Sequence, residues 1–402
     1  MKMGRTISVA TAVATIALAL LSGCAEGPEA LVASAKDFLA KNDRPAAILQ
    51  LKNALQKNPD LAEARFLLGK AMLEGEESAG AQQAAGAQKE LRKALELQYP
   101  AEQVIPPLAG AMLRSGDSKK MVAEFGATEL TKPEARAELQ TRLGEAHLVL
   151  RNLEASKAAF AAAVAAIPDY PPALLGQAQL AASQGDLPGA LALAESALAK
   201  SPTVTDGWQV KGDILVAQGQ IEAALAAYRK AIEVKPDRLT ARYMLVNLLM
   251  RQGKTEDAGK EFAAMKKIAP TNPQTLYLQA LLAYRDKDFA GARDAIQLHL
   301  KAAPGNLTGV LLGAQIDYQL QSYAMAETAL DTVLQRAPKN VQARQLLVQT
   351  HLRNGRPGKA LEVLQPLIAS VLQWKGRPES GALGPVAWFF ACTTRVVVST
   401  HV

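Results

Sequence analysis

The chain has 402 residues, of which 49% are hydrophobic and only 5% aromatic, and alanine is very frequent. The hydrophobic fraction is large enough to form a substantial core. The high alanine and low aromatic content favours long, closely stacked helices over a sheet protein. The formal net charge is +7, but acids and bases are interspersed, so no concentrated basic face indicates a nucleic-acid partner.

The first 24 residues have the pattern of a secretory signal. Lys2 and Arg5 precede an apolar run that is shorter than a typical transmembrane helix, and small residues follow it. The run ends in Leu21-Ser22-Gly23-Cys24, which resembles the bacterial lipobox. That resemblance implies cleavage before Cys24 and a lipid on its sulfur, and Ala25 after it implies sorting to the outer membrane. We therefore expect residues 1–23 to be a lipoprotein signal peptide; the alternative is an ordinary signal or anchor that happens to contain a cysteine.

The stretch Thr205 to Arg238 is the clearest structural unit in the chain. It predicts two amphipathic helices joined by a turn at Gly219, and a position-32 proline that ends the second helix. Counting Thr205 as position 1, the small residues are Gly212 (8), Ala224 (20) and Ala231 (27), and the large ones are Trp208 (4) and Tyr228 (24). We expect the small residues where helices cross closely and the large ones in the spaces that they leave. The position-32 proline recurs at Pro133, Pro168, Pro202, Pro236, Pro270, Pro304 and Pro338.

This unit repeats over most of residues 24–370. Repeats are expected to start near residues 28, 62, 102, 137, 171, 205, 239, 273, 307 and 341. The second carries about six extra residues within Gly75 to Ala87. The third contains Pro106-Pro107, so its first helix is expected to begin after those prolines. Because one repeat cannot bury its apolar face alone, the sequence predicts an all-α superhelical solenoid of about ten helical hairpins.

Residues 371–402 leave the pattern. They contain two of the three tryptophans, clusters of glycine and proline, and a β-branched run from Val396 to Thr400. A solenoid end cap would present a polar outer face, whereas this tail presents Trp388-Phe389-Phe390. The tail is either a docking segment or, the preferred interpretation, a stretch translated out of frame or a chain cut short.

The repeats resemble the tetratricopeptide-repeat (TPR) superfamily, which implies a fold and a binding mode rather than one activity. Three early stretches, AILQLKNALQKNP, ARFLLGKAML and KELRKALELQYP, together with the lipobox, resemble the TPR-repeat lipoprotein of the PEP-CTERM/exosortase system. This resemblance covers Met1 to about Ser370. It implies an envelope protein that accompanies exopolysaccharide synthesis and a transpeptidase-like, protein-sorting membrane enzyme. Members of that family carry many more repeats, so this chain is expected to be truncated.

The sequence contains few candidates for catalytic or metal-binding residues. His147, His299 and His351 fall at packing positions of the repeat and are expected in the core or between helices, and His401 lies in the tail. No Cys or carboxylate cluster has metal-ligand spacing, and Glu76-Glu77 on a polar loop cannot be held across a substrate. No phosphate loop, nucleophile elbow or dinucleotide fingerprint is present. The sequence therefore predicts no catalytic residue, no metal, no cofactor and, with Cys392 alone beside a lipidated Cys24, no disulfide.

The TPR resemblance also implies where a partner would bind. In TPR arrays, positions 2, 5, 9, 12 and 13 of each first helix point into the groove. Here those positions give a predicted partner-binding groove of Tyr243, Asn247, Arg251, Tyr277, Tyr284, Arg285, Gln315, Tyr318, Gln349 and Arg353. Such side chains combine flat apolar area with directed hydrogen bonds and suit an extended peptide or a sugar chain. The plain alternative is an ordinary polar helix surface.

The expected function is that of a non-enzymatic, lipid-anchored scaffold that binds protein partners, or polysaccharide, in the bacterial envelope. The alternative is that these repeats belong to a larger protein whose carbohydrate-modifying or other enzymatic domain is missing from this chain. Continued repeats in another frame of the downstream DNA would favour the scaffold, whereas a new α/β segment would favour the enzyme.

Overall fold

The computed structural model describes residues 27–74 and 80–365 of the chain. The described residues are helices and short connections, without a strand, and they confirm the all-α solenoid of about ten hairpins. The helices are α1 (Pro28–Ala40), α2 (Arg44–Lys57), α3 (Ala62–Leu73), α4 (Gly80–Glu96), α5 (Ala101–Arg114), α6 (Ser118–Phe125), α7 (Pro133–Val149), α8 (Leu153–Ala166), α9 (Pro171–Ser183), α10 (Leu187–Lys200), α11 (Thr205–Ala217), α12 (Ile221–Val234), α13 (Leu239–Arg251), α14 (Thr255–Ile268), α15 (Pro273–Arg285), α16 (Phe289–Ala302), α17 (Leu307–Gln319), α18 (Tyr323–Arg336) and α19 (Val341–Arg353). Residues 357–365 are also helical.

The helices form two compact units that divide after Pro270. The first unit contains α1 to α14, and the second begins with α15. Within each unit, helices that follow one another in sequence pack together, and first helices of several neighbouring hairpins also touch. This contact pattern is that of a repeat array in which each hairpin buries its apolar face against its neighbours.

Small and large residues alternate in the core as the repeat pattern predicts. A Cβ atom added to Gly212 would stand 2.6 Å from Cε1 of Tyr228, a side chain that is only 2% exposed. Gly144 and Gly69 meet Phe160 and Leu91 in the same way. The position-8 glycine therefore makes room for the large position-24 side chain of the same hairpin.

In the nine hairpins whose turns the structure describes, position 15 has a left-handed backbone conformation. Five hairpins place glycine there, and the backbone φ angles of these glycines are all between 70° and 88°. Four other hairpins place Asn42, Arg151, Lys287 or Gln321 at this position with φ of about 60°. Asparagine tolerates this conformation, but arginine, lysine and glutamine rarely adopt it, so at those three positions the fold imposes it.

The third hairpin corrects one expectation from the sequence. Helix α5 runs through Pro106 and Pro107, whereas the sequence predicted a helix that begins after them. Val104, Ile105 and Leu108 are buried in the same apolar cluster, against α4 and α7. Burial of this first half of α5 outweighs the backbone hydrogen bonds that the two proline nitrogens cannot donate.

An arginine contact recurs at position 4 of three repeats and was missed from the sequence. Arg65 donates to the carbonyl of Pro59 and to the carboxylate of Glu90, and Arg242 donates to the carbonyl of Pro236 and to Glu261. Arg344 binds the carbonyls of Pro338 and Val363. Each guanidinium thus ties the position-32 proline of the preceding repeat to position 23 of its own second helix. The pairing of arginine at 4 with glutamate at 23 could have revealed this contact.

Several predicted features lie outside the described residues. These are the signal peptide, the lipidation site Cys24, the Glu76-Glu77 loop, the tail with its tryptophans, and His401. None of the helices formed by residues 27–74 and 80–365 is long and apolar enough to cross a membrane.

Candidate functional site

The candidate site is the first-helix face, which we define as positions 2, 5, 9, 12 and 13 of the first helix in each hairpin. The first unit contributes Tyr243, Asn247 and Arg251, all on α13. The Asn247 amide donates to the backbone carbonyl of Tyr243 over 2.9 Å, and Arg251 is exposed. Tyr243 is half-buried, and this burial raises the pKa of its hydroxyl, so it is a neutral hydrogen-bonding group at physiological pH.

In the second unit, Tyr277 and Tyr284 of α15 both pack against the core of the hairpin formed by α15 and α16. The ring of Tyr277 lies 5.5 Å from the ring of His299, and that of Tyr284 lies 5.6 Å from Phe289. Each tyrosine is half-buried and so retains accessible area. Both rings therefore support the fold, and their role as a binding platform stays a prediction.

Helices α17 and α19 carry the other predicted groove residues. Tyr318 packs edge-on against Tyr323 at 5.8 Å, and Gln319 donates to the Tyr284 hydroxyl over 3.5 Å, which links neighbouring hairpins. Gln315 is half-buried, whereas Gln349, Arg353 and, on α15, Arg285 are exposed. The exposed members of the predicted set are thus mostly cations and amides, and the tyrosines are partly embedded between them.

The first helices of the second unit carry almost no negative charge. Among the described residues of α15, α17 and α19, Asp317 is the single carboxylate. The guanidinium of Arg293 lies 3.1 Å from it and neutralises it. Arg285 and Arg353 stand on the same helices, so this face presents positive charge and neutral hydrogen-bonding groups.

The first helices before α13 have a different character. Glu138 and Glu145 flank Arg142 on α7, and the guanidinium of Arg142 lies 3.0 Å from the carboxylate of Glu145. On α11, Asp213 accepts a hydrogen bond of 2.6 Å from the Tyr228 hydroxyl. Burial raises the pKa of Asp213 above its ordinary value, and it also raises the pKa of Tyr228, so the phenol keeps its proton and donates it.

The histidines occupy packing positions. His299 is buried, and its Nδ1 donates to the carbonyl of Pro273 over 2.8 Å, which places a proton on Nδ1. Its other edge lies against Gly309, where a Cβ would stand 2.5 Å from the ring. His351 is also buried, and its Nδ1 lies 3.9 Å from the carboxylate of Glu327. His147 is half-buried.

The part of the chain that the structure describes contains no group of three or more His, Cys, Asp or Glu side chains able to hold a metal ion. Asp213, on this face, and Tyr228, on the second helix α12, are a hydrogen-bonded pair of titratable groups. Tyr228 is buried under Gly212, however, so its hydroxyl serves packing and does not face a substrate. The exposed arginines and amides of the first-helix face can contact a partner through charge and hydrogen bonds.

Comparison with known protein families places repeats along most of the chain. A family described as the cytochrome c-type biogenesis protein H TPR domain matches residues 189–308. Two tetratricopeptide-repeat families match residues 32–93 and 141–204, and residues 317–374. A comparison with curated protein sequences gives no match.

Comparison with solved structures gives matches to varied proteins. PilF of Pseudomonas aeruginosa is 18% identical, with a TM-score of 0.46, and the match covers 55% of this chain and 100% of that one. Yeast Tom70 is 13% identical, with a TM-score of 0.46 and 85% of each chain covered. A chain of the APC/C hetero-tetramer Cut9–Hcn1 is 12% identical, with a TM-score of 0.47, and 90% of this chain and 96% of that one are covered.

Proposed function

We propose that this chain, which is built from tetratricopeptide repeats, is a non-catalytic scaffold that is held to the bacterial envelope by a lipid on Cys24. TPR arrays commonly mediate protein–protein contacts, and the partner proposed here is a protein that presents an extended acidic segment. The observation that carries the proposal is the charge of the first helices in the second unit. They combine exposed Arg285 and Arg353 with amides and tyrosines, and their one described carboxylate, Asp317, is neutralised by Arg293.

An acidic protein segment is complementary to this face in charge and in hydrogen bonding. Exposed arginines steer an acidic segment towards the face and select against basic ones. Tyrosines that are already ordered by packing lose little conformational entropy when a partner contacts them. Glutamine side chains such as Gln349 can donate to and accept from the backbone of an extended chain.

The cellular context of this proposal rests on the lipobox and on the early repeats. Their resemblance to the PEP-CTERM/exosortase lipoprotein supports a role beside exopolysaccharide synthesis and export, with the anchor in the outer membrane. The partner would then be a component of that envelope machinery. The alternative to a protein partner is a polysaccharide ligand, and the capture experiment below distinguishes the two.

Capture of partners from solubilised envelope tests the binding face. Arg285→Glu/Arg353→Glu reverses two exposed charges on first helices, and Lys301→Glu/Arg336→Glu is the matched control on second helices of the same unit. We expect the first variant to bind an acidic partner at least about tenfold more weakly and the control to bind it normally. Equal capture by both variants would move the contact to another surface, and retention of a glycan alone would identify a polysaccharide ligand.

The anchor is tested separately by metabolic labelling with palmitate. Cys24→Ala should give an unprocessed precursor that carries no label, because the sulfur that accepts the lipid is absent. Normal labelling of this variant would contradict the lipoprotein proposal but would leave the binding face untouched.

A further inference from the structure

Basic residues are concentrated on the second helices of the first three hairpins. Together α2, α4 and α6 carry eight Lys and Arg residues but only three Asp and Glu. The next six second helices, α8, α10, α12, α14, α16 and α18, carry ten of each sign. Residues 28–132 as a whole contain fourteen basic and fourteen acidic residues, so this part of the chain is neutral and its charges are segregated.

Three of these cations are available for a partner. Lys52, Lys89 and Lys119 are exposed, and none of them makes an ion pair or a hydrogen bond within the described residues. They stand on α2, α4 and α6, one on each helix. Other cations of these helices are partly neutralised, since Arg92 binds Glu124 through two hydrogen bonds of 2.7 and 2.6 Å and Lys93 lies 3.2 Å from Glu96.

The basic side chains on α4 also line a depression of about 640 Å³. Its walls include Arg65, Lys89, Arg92 and Lys93, and Glu96 is the one acid among the lining residues. On α2 the exposed apolar residue Leu49, 58% exposed, stands three positions before Lys52. A basic surface of this kind suits anionic lipid headgroups, which attract Lys and Arg side chains near the membrane surface.

We infer that this surface, the basic second-helix face of α2, α4 and α6, binds anionic phospholipid headgroups of the membrane that holds the anchor. The inference rests on the lipid anchor of the proposed function. Cys24 stands four residues before Pro28, and four extended residues span at most about 14 Å. The lipid would therefore hold the first hairpins close to the membrane. Headgroup attraction falls off over a Debye length of roughly 8–10 Å, so it can act only on helices that rest against the membrane beside the anchor.

The lipid and the basic face would have different roles. The acyl chains would retain the protein, and the segregated charge would fix the side on which the first hairpins rest. Single-stranded nucleic acid is a poorer fit to this face, because such binders stack bases on exposed aromatic rings. The one aromatic residue on α2, α4 and α6 is Phe125, which is buried.

Lysine acetylation on vesicles tests the inference without depending on lipidation. The processed chain carrying Cys24→Ser and an N-terminal hexahistidine tag is tethered by nickel-chelating lipid to vesicles of phosphatidylcholine, with or without 30% phosphatidylglycerol. Acetylation rates are read by mass spectrometry. We expect anionic vesicles to slow the modification of Lys52, Lys89 and Lys119 at least about fivefold, and 0.5 M NaCl to restore it. Exposed Lys157, Lys230 and Lys260 on later second helices should react equally on both vesicles.

A charge variant provides an independent measurement by vesicle flotation of the untethered processed chain. Each Lys near an anionic surface contributes about fivefold to binding, so Lys52→Gln/Lys89→Gln/Lys119→Gln should weaken binding to the anionic vesicles by about 100-fold. The matched variant Lys157→Gln/Lys230→Gln/Lys260→Gln should float like the wild type. Equal rates of acetylation on both vesicles, or equal flotation of the two variants, would overturn the inference. Palmitate labelling at Cys24 reports separately on the anchor.

Discussion

At the scale of single residues, the tight contacts of the fold are made where a glycine lies under a large side chain. Gly212 and Tyr228 are the clearest pair, because the added Cβ of an alanine would stand 2.6 to 3.0 Å from three ring atoms of the tyrosine. We predict that Gly212→Ala lowers the free energy of unfolding by about 1–3 kcal/mol, since the buried ring cannot move away without cost. Urea unfolding followed by circular dichroism measures the change.

Gly259 is the matched control for this substitution. It also lies inside a helix, α14, but a Cβ there would meet no atom within 4 Å. Gly259→Ala should therefore raise the free energy of unfolding by up to about 1 kcal/mol through helix propensity alone. A loss of stability of the same size in both variants would show that the effect at Gly212 is not one of packing.

The Asp213 carboxylate gives the fold a pH dependence of known sign. Burial raises its pKa in the folded chain, so the folded state holds the proton more tightly than the unfolded state does. The stability that this provides is present below the unfolded pKa of about 3.9 and is lost as pH rises through the higher folded value. Relative to Asp213→Asn, the wild type should therefore lose stability as pH rises above about 4. A stability difference that is constant with pH would contradict this.

At the scale of helices, α5 shows how burial overrides a local rule. Pro106 and Pro107 lie inside the helix, each without a backbone N–H to donate to the preceding turn. Pro107 is half-buried, so an alanine can replace it without opening a large cavity. We predict that Pro107→Ala raises the free energy of unfolding by about 1–3 kcal/mol, because it restores one hydrogen bond and a better helix former. An unchanged or lower unfolding midpoint in urea would indicate that the proline ring packs specifically.

Much of the helical architecture follows from the sequence because the repeat fixes both helix period and turn. The spacing of small residues and prolines predicted hairpins whose glycine turns, such as those at Gly219 and Gly253, have the required positive φ. The predicted start of α5 was wrong. It was based only on the tendency of proline to interrupt a helix, which does not take account of the burial of Val104 and Ile105. The excess of basic residues on α2, α4 and α6 could be recognised only when the first and last residues of the second helices were known.

The candidate site was less accessible from the sequence. Position numbers located exposed residues such as Arg285 and Arg353 correctly on first helices. They could not reveal that Tyr277 contacts His299 or that Tyr284 contacts Phe289, because those contacts depend on side-chain directions in the folded hairpin. The carboxylate contacts of Arg65 and Arg242, by contrast, have a sequence signature, which is the pairing of arginine at position 4 with glutamate at position 23. The use of the tyrosines by a partner stays a prediction.

At the scale of the whole molecule, stability should spread from neighbour to neighbour along each unit. Ala224 is completely buried where α11 and α12 cross, so Ala224→Trp forces a large ring into a filled space. We expect a loss of about 1–3 kcal/mol or more, with faster hydrogen exchange in α10 to α13. The α1–α2 hairpin should keep its protection. Equal loss of protection in α1 and α2 would contradict nearest-neighbour coupling.

The central claim, that a protein partner binds the first-helix face of the second unit, is tested most directly by photocrosslinking in living cells. A benzoylphenylalanine is placed singly at Gln349 or Arg353 on α19, and at Lys301 on α16 or Asp331 on α18 as exposed controls on second helices. If a protein partner binds this face, light should produce an adduct with one envelope protein from the two α19 positions and not from the controls. Adducts from the second-helix positions alone, or none from α19 in a normally expressed and anchored chain, would contradict it.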